Sequence, residues 1–188
     1  MAVQYSVTVR NAQLAAVETV VGTAPRLRMY HGAAMPADCA TAPAGTVAVD
    51  MTLPSDWMAA ESDGSKSKSG TWQDASADAS GMVRYWRMYD SGLSACHMQG
   101  LIYQAWQAST VYALNQQVSN GGNVYICTTA GTSASSGGPT GTGTGITDGS
   151  AVWSYVGAAE GGIQLDNVNV AAGQSVTIST FTLTAGNA

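Results

Sequence analysis

Apolar and polar positions change period several times along the chain. Val3, Tyr5, Val7 and Val9 alternate weakly and predict a short strand. Asn11 then reads as a helix N-cap. Leu14, Val17, Val20 and Val21 follow at helical spacing, with Ala12, Ala15 and Ala16 between them. Gly22 and Pro25 supply the stop, so one helix is expected over about 11–21. From residue 26 the period becomes two. Strands are expected at 26–31, 46–53, 71–76, 82–89 and 95–103. The stretch 33–45, with Pro36, Pro43 and Gly45, reads as a loop, and 61–70 as a polar, exposed one. Two further runs close the chain, Ile163 to Val170 and Val176 to Leu183; the second is the clearest period-two run. The pattern predicts a mainly β protein, an antiparallel sandwich of jelly-roll or immunoglobulin-like type with one short N-terminal helix.

Composition divides this pattern. All eight Met lie at or before residue 98. The segment 105–157 has none and carries one charged residue, Asp148. It also holds a Gly/Ser/Thr tract with Gly141-Thr-Gly-Thr-Gly145, which reads as a flexible linker. Such a shift inside a regular strand series predicts an inserted unit. The expected framework is 1–104 with 158–188, and the expected insert, a small β-meander, is 105–157.

Charge is scarce: 10% of the 188 residues are charged, and the net charge is −5. No Lys or Arg follows Arg87, so the C-terminal half cannot neutralise phosphates in a groove. No nucleic-acid or anionic-lipid partner is expected. The opening Met-Ala-Val-Gln-Tyr lacks a basic-then-apolar leader, and no run is long enough for a membrane helix. Synthesis in a cytoplasm is expected. Cys39, Cys96 and Cys127 fit neither a zinc pattern nor a disulfide framework. They read as small buried hydrophobes, although a Cys39–Cys96 bridge is compatible with the sequence.

Several motifs, in order, resemble a family of tailed-bacteriophage virion proteins. They are Arg10-Asn-Ala-Gln-Leu14, Leu27-Arg-Met-Tyr-His-Gly32, Ala42-Pro-Ala-Gly-Thr46 and Gly81-Met-Val-Arg-Tyr-Trp-Arg-Met-Tyr-Asp-Ser91. The ending adds Leu165-Asp-Asn-Val-Asn-Val-Ala-Ala-Gly-Gln174 and Val176-Thr-Ile-Ser-Thr-Phe-Thr-Leu183. The resemblance covers about 1–101 and 161–188. It implies a β-sandwich that decorates or cements the outer capsid shell. Its implied partners are the major capsid protein and copies of itself, with trimers common among such proteins.

The insert resembles small chitin- and cellulose-binding modules. Trp106, Tyr112, Val118, Tyr125, Trp153 and Tyr155 occupy the places of that pattern, and Asn120-Gly-Gly-Asn123 reads as its hairpin turn. The resemblance makes Trp106, Tyr112, Tyr125, Trp153 and Tyr155 candidate glycan-stacking residues for a bacterial surface glycan. A unit of this size also needs most of its large side chains for its own core, and after Tyr125 the sequence gives Ile126-Cys-Thr-Thr129 where a sugar-binding Trp often stands.

Candidate chemistry is sparse. His31 and His97 stand without a second metal-ligand motif, so neither metal nor cofactor is expected. Asp74 and Asp78 share a strand face if both lie in one strand, but no glycosidase motif surrounds them. On the strand around 84–89, alternation places Arg84, Trp86 and Met88 on one face and Tyr85, Arg87 and Tyr89 on the other. Arg84, Trp86, Arg87 and Tyr89 are interface candidates, because Arg and aromatics are enriched at interfaces. Three functions remain on this reading. The favoured one is a non-enzymatic virion protein on the outer shell. The others are a tail- or fibre-associated protein whose insert grips host glycan, and a small glycan-degrading enzyme.

Overall fold

The computed structural model describes residues 3–186. The chain is mainly β, 42% strand and 8% helix, with one helix and several antiparallel sheets. The helix, α1 (Val7–Val21), begins four residues earlier than its pattern predicts. Ser6 is the N-cap: its side chain accepts a hydrogen bond from Val9 N–H at 3.3 Å. Asn11 instead accepts from Gly64 N–H at 2.8 Å, which fastens the helix to the rest of the fold. Val7 and Val9 are therefore helical and not part of a strand. Gly22 closes the helix at φ 83°, where a side chain is disfavoured, and its N–H donates to Glu18 O.

The strands of the N-terminal half are β1 (Arg26–His31), β2 (Thr46–Thr52), β3 (Ser65–Ser67), β4 (Trp72–Asp74), β5 (Gly81–Tyr89) and β6 (Cys96–Ala105). The middle segment supplies β7 (Val111–Tyr112), β8 (Gln117–Asn120), β9 (Asn123–Thr129), β10 (Gly131–Thr132), β11 (Ile146–Asp148) and β12 (Ala151–Ala158). Four short strands follow: β13 (Ile163–Gln164), β14 (Asn169–Val170), β15 (Val176–Ile178) and β16 (Thr182–Thr184). One long sheet runs β11-β12-β9-β8-β6-β5-β1-β2, with β13 and β14 attached to β6 and β5. Ribbons β4–β15 and β3–β16 form the opposing layer. Most pairings are antiparallel, but β6 pairs in parallel with both β8 and β13.

Buried side chains form two separate clusters. The larger holds Leu27, Met29, Met51 and Met88 from the long sheet, Trp72 of β4 and Ile178 of β15, and Trp57 and Phe181 from the connecting segments. Phe181 lies 5.1 Å from Trp72 and edge-on to Trp86 at 5.4 Å. The smaller cluster holds Tyr112, Val118, Tyr125, Cys127, Ala151 and Trp153. The two are joined where Gln104 and Ala105 of β6 pair with Val118 and Ser119 of β8. Gln117, 3% exposed, strengthens that seam by donating to Arg84 O at 2.9 Å and Ile102 O at 2.7 Å.

Two segments differ from their sequence pattern. The stretch 61–70 is not an exposed loop: β3 within it pairs with β16, and Lys66 is 5% exposed. Glu18 and Glu61 lie 2.6 and 3.1 Å from its ammonium, and this pairing allows burial of a lysine. The closing runs are not two long strands but four short ones, each paired to a different partner. Their apolar residues reach the core from turns and bridges as well as strands.

Candidate functional site

The predicted stacking residues are largely the core of their own unit. Tyr112, Tyr125 and Trp153 are each 0% exposed, so none offers a ring face to a sugar. Tyr112 packs edge-on against Trp153 at 5.0 Å, and its hydroxyl accepts from Gln107 N–H at 2.6 Å. Tyr125 packs against Tyr155 at 6.1 Å and donates its hydroxyl to Gly141 O at 2.9 Å. Trp106 and Tyr155 are half-buried. A Cβ at Gly138 would lie 3.0 Å from the Trp106 ring, so the loop there covers part of that ring. The Gly/Thr tract is tied down as well, since Tyr155 N–H donates to Gly143 O at 2.9 Å. The expected Asn120–Asn123 hairpin is present, with Gly121 and Gly122 at positive φ.

Asp148, the one charge of this segment, is the hub that sequence reasoning overlooked. It is 5% exposed. Oδ2 accepts from Trp106 Nε1 at 2.7 Å and Trp153 Nε1 at 3.2 Å, and Oδ1 accepts from Ala134 N–H at 2.9 Å. A lone charge in an uncharged stretch was the available signal.

The β5 interface candidates are also enclosed. Trp86 is 2%, Arg87 1% and Tyr89 8% exposed. Trp86 belongs to the large core. On the opposite face the chain's own 33–45 loop covers the strand. Arg87 donates from Nη1 to Thr41 O at 2.9 Å, from Nη2 to Cys39 O at 2.6 Å and from Nε to Cys96 Sγ at 3.1 Å. Tyr85 donates to Ala44 O and stacks on Tyr30 at 4.8 Å. Tyr89 and Tyr30 share a buried hydroxyl bond at 2.9 Å. Burial first, and then Tyr30, pushes the Tyr89 hydroxyl pKa up.

Arg84 behaves differently because β5 bulges at it. Tyr30 pairs with Tyr85 and His31 with Val83, leaving Arg84 as the extra residue. The alternation flips there, and Val83, not Arg84, joins Trp86 and Met88 in the core. Arg84 is half-buried at a cleft of about 590 Å³. The cleft lies where β5 and β6 meet the 33–37 loop and the end of β12, with Gln99, Leu101, Val156 and Glu160 in its walls. No carboxylate among the described residues lies within ion-pair distance of Arg84, and its Nε is sealed without a partner. Burial pushes its pKa down.

The other candidates stay apart. Asp74 accepts from Asp50 N–H and Ser76 N–H, and Asp78 lies beyond the end of β4 and is exposed. No group of three or more His, Cys, Asp and Glu comes together among the described residues. Cys127 is buried, and Cys39 and Cys96 are half-buried free thiols. Burial, then Cys39, raises the Cys96 pKa to about 11.

The outward side of α1 carries Val9 and Val20 among exposed Ala12, Gln13, Ala16 and Thr19. Val7 and Val9 are each 42% exposed and Val20 66%, and Val3 and Tyr5, just before the helix, are 67% and 44% exposed. The fold therefore defines a mainly β protein with one helix held by its inner side, through Leu14 and Val21. Comparison with family models, with curated proteins and with solved structures gives no match to this chain.

Proposed function

We propose that this chain is a non-enzymatic bacteriophage structural protein, a decoration or cement protein on the outer capsid shell. The observation that carries the reading is the outward face of α1 with the segment before it. Val3, Val7, Val9 and Val20 are exposed in a chain of which only 10% is charged. Val9 and Val20 share one side of the helix about 16 Å apart, and exposed apolar side chains on a common side support cover by another protein. The virion-protein motifs quoted above supply the rest of the support. On this reading α1 and the residues before it meet the major capsid protein or a sister subunit. The framework, 1–104 with 158–188, carries the load, and the 105–157 unit, with its own small core, projects outward.

The tail-associated reading has lost one of its supports, since Tyr112, Tyr125 and Trp153 are enclosed. Cryo-electron microscopy of the particle carrying this chain tests the proposal. Density on the shell lattice, with α1 at the contact, is expected. Density on the tail alone overturns it. Particles assembled without the chain should open at lower temperature, and Val9→Asp with Val20→Asp should abolish capsid binding while the purified protein keeps its thermal midpoint.

A further inference from the structure

The cleft at Arg84 contains an unusual set of unmet polar groups. Among the described residues only five buried side-chain N or O atoms have no partner, and two of them belong to residues that line this cleft: Arg84 Nε and Gln99 Oε1. The Gln99 amide is oriented unambiguously, because Nε2 donates to Pro36 O at 2.7 Å and only a donor fits there. Its Oε1 is left needing a donor. Gly100 and Gly161 also line the cleft.

Arg84 is half-buried without a counter-ion, and its Nη atoms, unlike Nε, are not sealed. An oxyanion at those donors offsets the hydration that partial burial removes. Such unpaired, burial-perturbed groups in a cleft mark binding sites. The geometry points to the cleft between β5, β6, the 33–37 loop and the end of β12 as a binding site for a hydroxylated monocarboxylate, the chemistry of an acidic sugar residue. The carboxylate lies in the Arg84 fork, whose planar donors match it. Glu160 at the wall accepts a ligand hydroxyl and repels a dianion, which disfavours phosphate esters. Pro36, Leu101 and Val156 supply aliphatic walls for the ring. A volume of about 590 Å³ lies within the range of small-ligand pockets.

The site lies at the seam and uses none of the predicted stacking rings. It stands apart from the assembly reading, so either can fail alone. The test is calorimetric titration of the purified protein with sodium glucuronate, with glucose and sodium sulfate as controls. Saturable glucuronate binding is expected, at least tenfold tighter than either control. Arg84→Met should weaken it about ten- to a hundredfold, the worth of a charge-assisted hydrogen bond. Because that substitution removes an uncompensated charge, the thermal midpoint without ligand should stay level or rise. Gln99→Glu should give Arg84 an internal counter-ion and also abolish binding. No saturable glucuronate binding, sulfate binding as tight as glucuronate, or a lowered midpoint for Arg84→Met each overturns the proposal.

Discussion

Asp148→Asn exchanges one acceptor oxygen for a donor at the hub of the 105–157 unit. The carboxylate takes three N–H donors, two indoles on Oδ2 and Ala134 N–H on Oδ1. An asparagine has one acceptor oxygen. If that oxygen stays on Ala134 N–H, the amide NH₂ faces two indole donors. If it turns to the indoles, NH₂ faces the Ala134 N–H. The second arrangement orphans one buried donor, which costs about 1–3 kcal/mol. It also turns two charge-assisted bonds into neutral ones, at roughly half their strength. The sum is about 2.5–6 kcal/mol, and Asp148→Ala, which removes every acceptor, should cost at least as much. Native-state hydrogen exchange resolves the effect. Amides of β9 and β12 should open more readily by that amount, while those of β1 and β2, in the other core, stay unchanged. A shift below about 0.5 kcal/mol, the usual range of a surface substitution, would refute the assignment of Asp148 as the organising acceptor.

Three other outcomes follow from the same packing. Glu18→Gln combined with Glu61→Gln leaves the Lys66 ammonium buried without a carboxylate; a loss of roughly 1–3 kcal/mol and faster exchange of α1 amides are expected in urea titration and hydrogen exchange. Burial raises the pKa values of Cys96, Tyr85, Tyr103 and Tyr112. The unfolded chain therefore releases these protons first, so stability is fully present below about pH 9 and declines as pH rises through 11. Denaturant midpoints at pH 7, 9 and 11 check this, and a flat series contradicts it. Native protein treated with a thiol reagent should label Cys39 and Cys96 but leave Cys127 untouched, and Cys96 labelling should accelerate steeply toward pH 11, as peptide mapping reads directly.

Much of the β architecture is legible from local pattern. Arg26–His31, Thr46–Thr52 and Gly81–Tyr89 alternate, and each is a strand close to the expected limits. Asn120-Gly-Gly-Asn123 demands positive φ at its centre and makes the hairpin. Other segments misled for identifiable reasons. Val3 to Val9 alternates, but Ser6 can cap a helix and no strand lies beside it to pair with, so the helix extends through Val7 and Val9. Val176 to Leu183 reads as one run, but its period slips between Ile178 and Phe181, and there it divides: Phe181 enters the core between β15 and β16, and the two halves pair with different strands, β4 and β3.

The candidate site was less legible. Period two assigns Arg84 and Trp86 to one face, but a single bulged residue reverses that assignment, and a bulge is set by pairing with β1. The aromatic spacing of the middle segment identified the right rings but not their surroundings, because a ring that stacks on sugar and one that fills a small core have the same sequence signature. Composition and periodicity by themselves determined a sparsely charged, mainly β chain with one helix, its turns and its compositional break at 105–157. Those are properties of backbone preference and neighbouring residues. Tertiary structure alone decided which faces are closed: the 33–45 loop over Arg87, the Asp148 hub under two indoles, the open side of α1 and the unpaired Arg84 at the seam. Burial is fixed by segments distant in sequence, and local spacing carries no record of them.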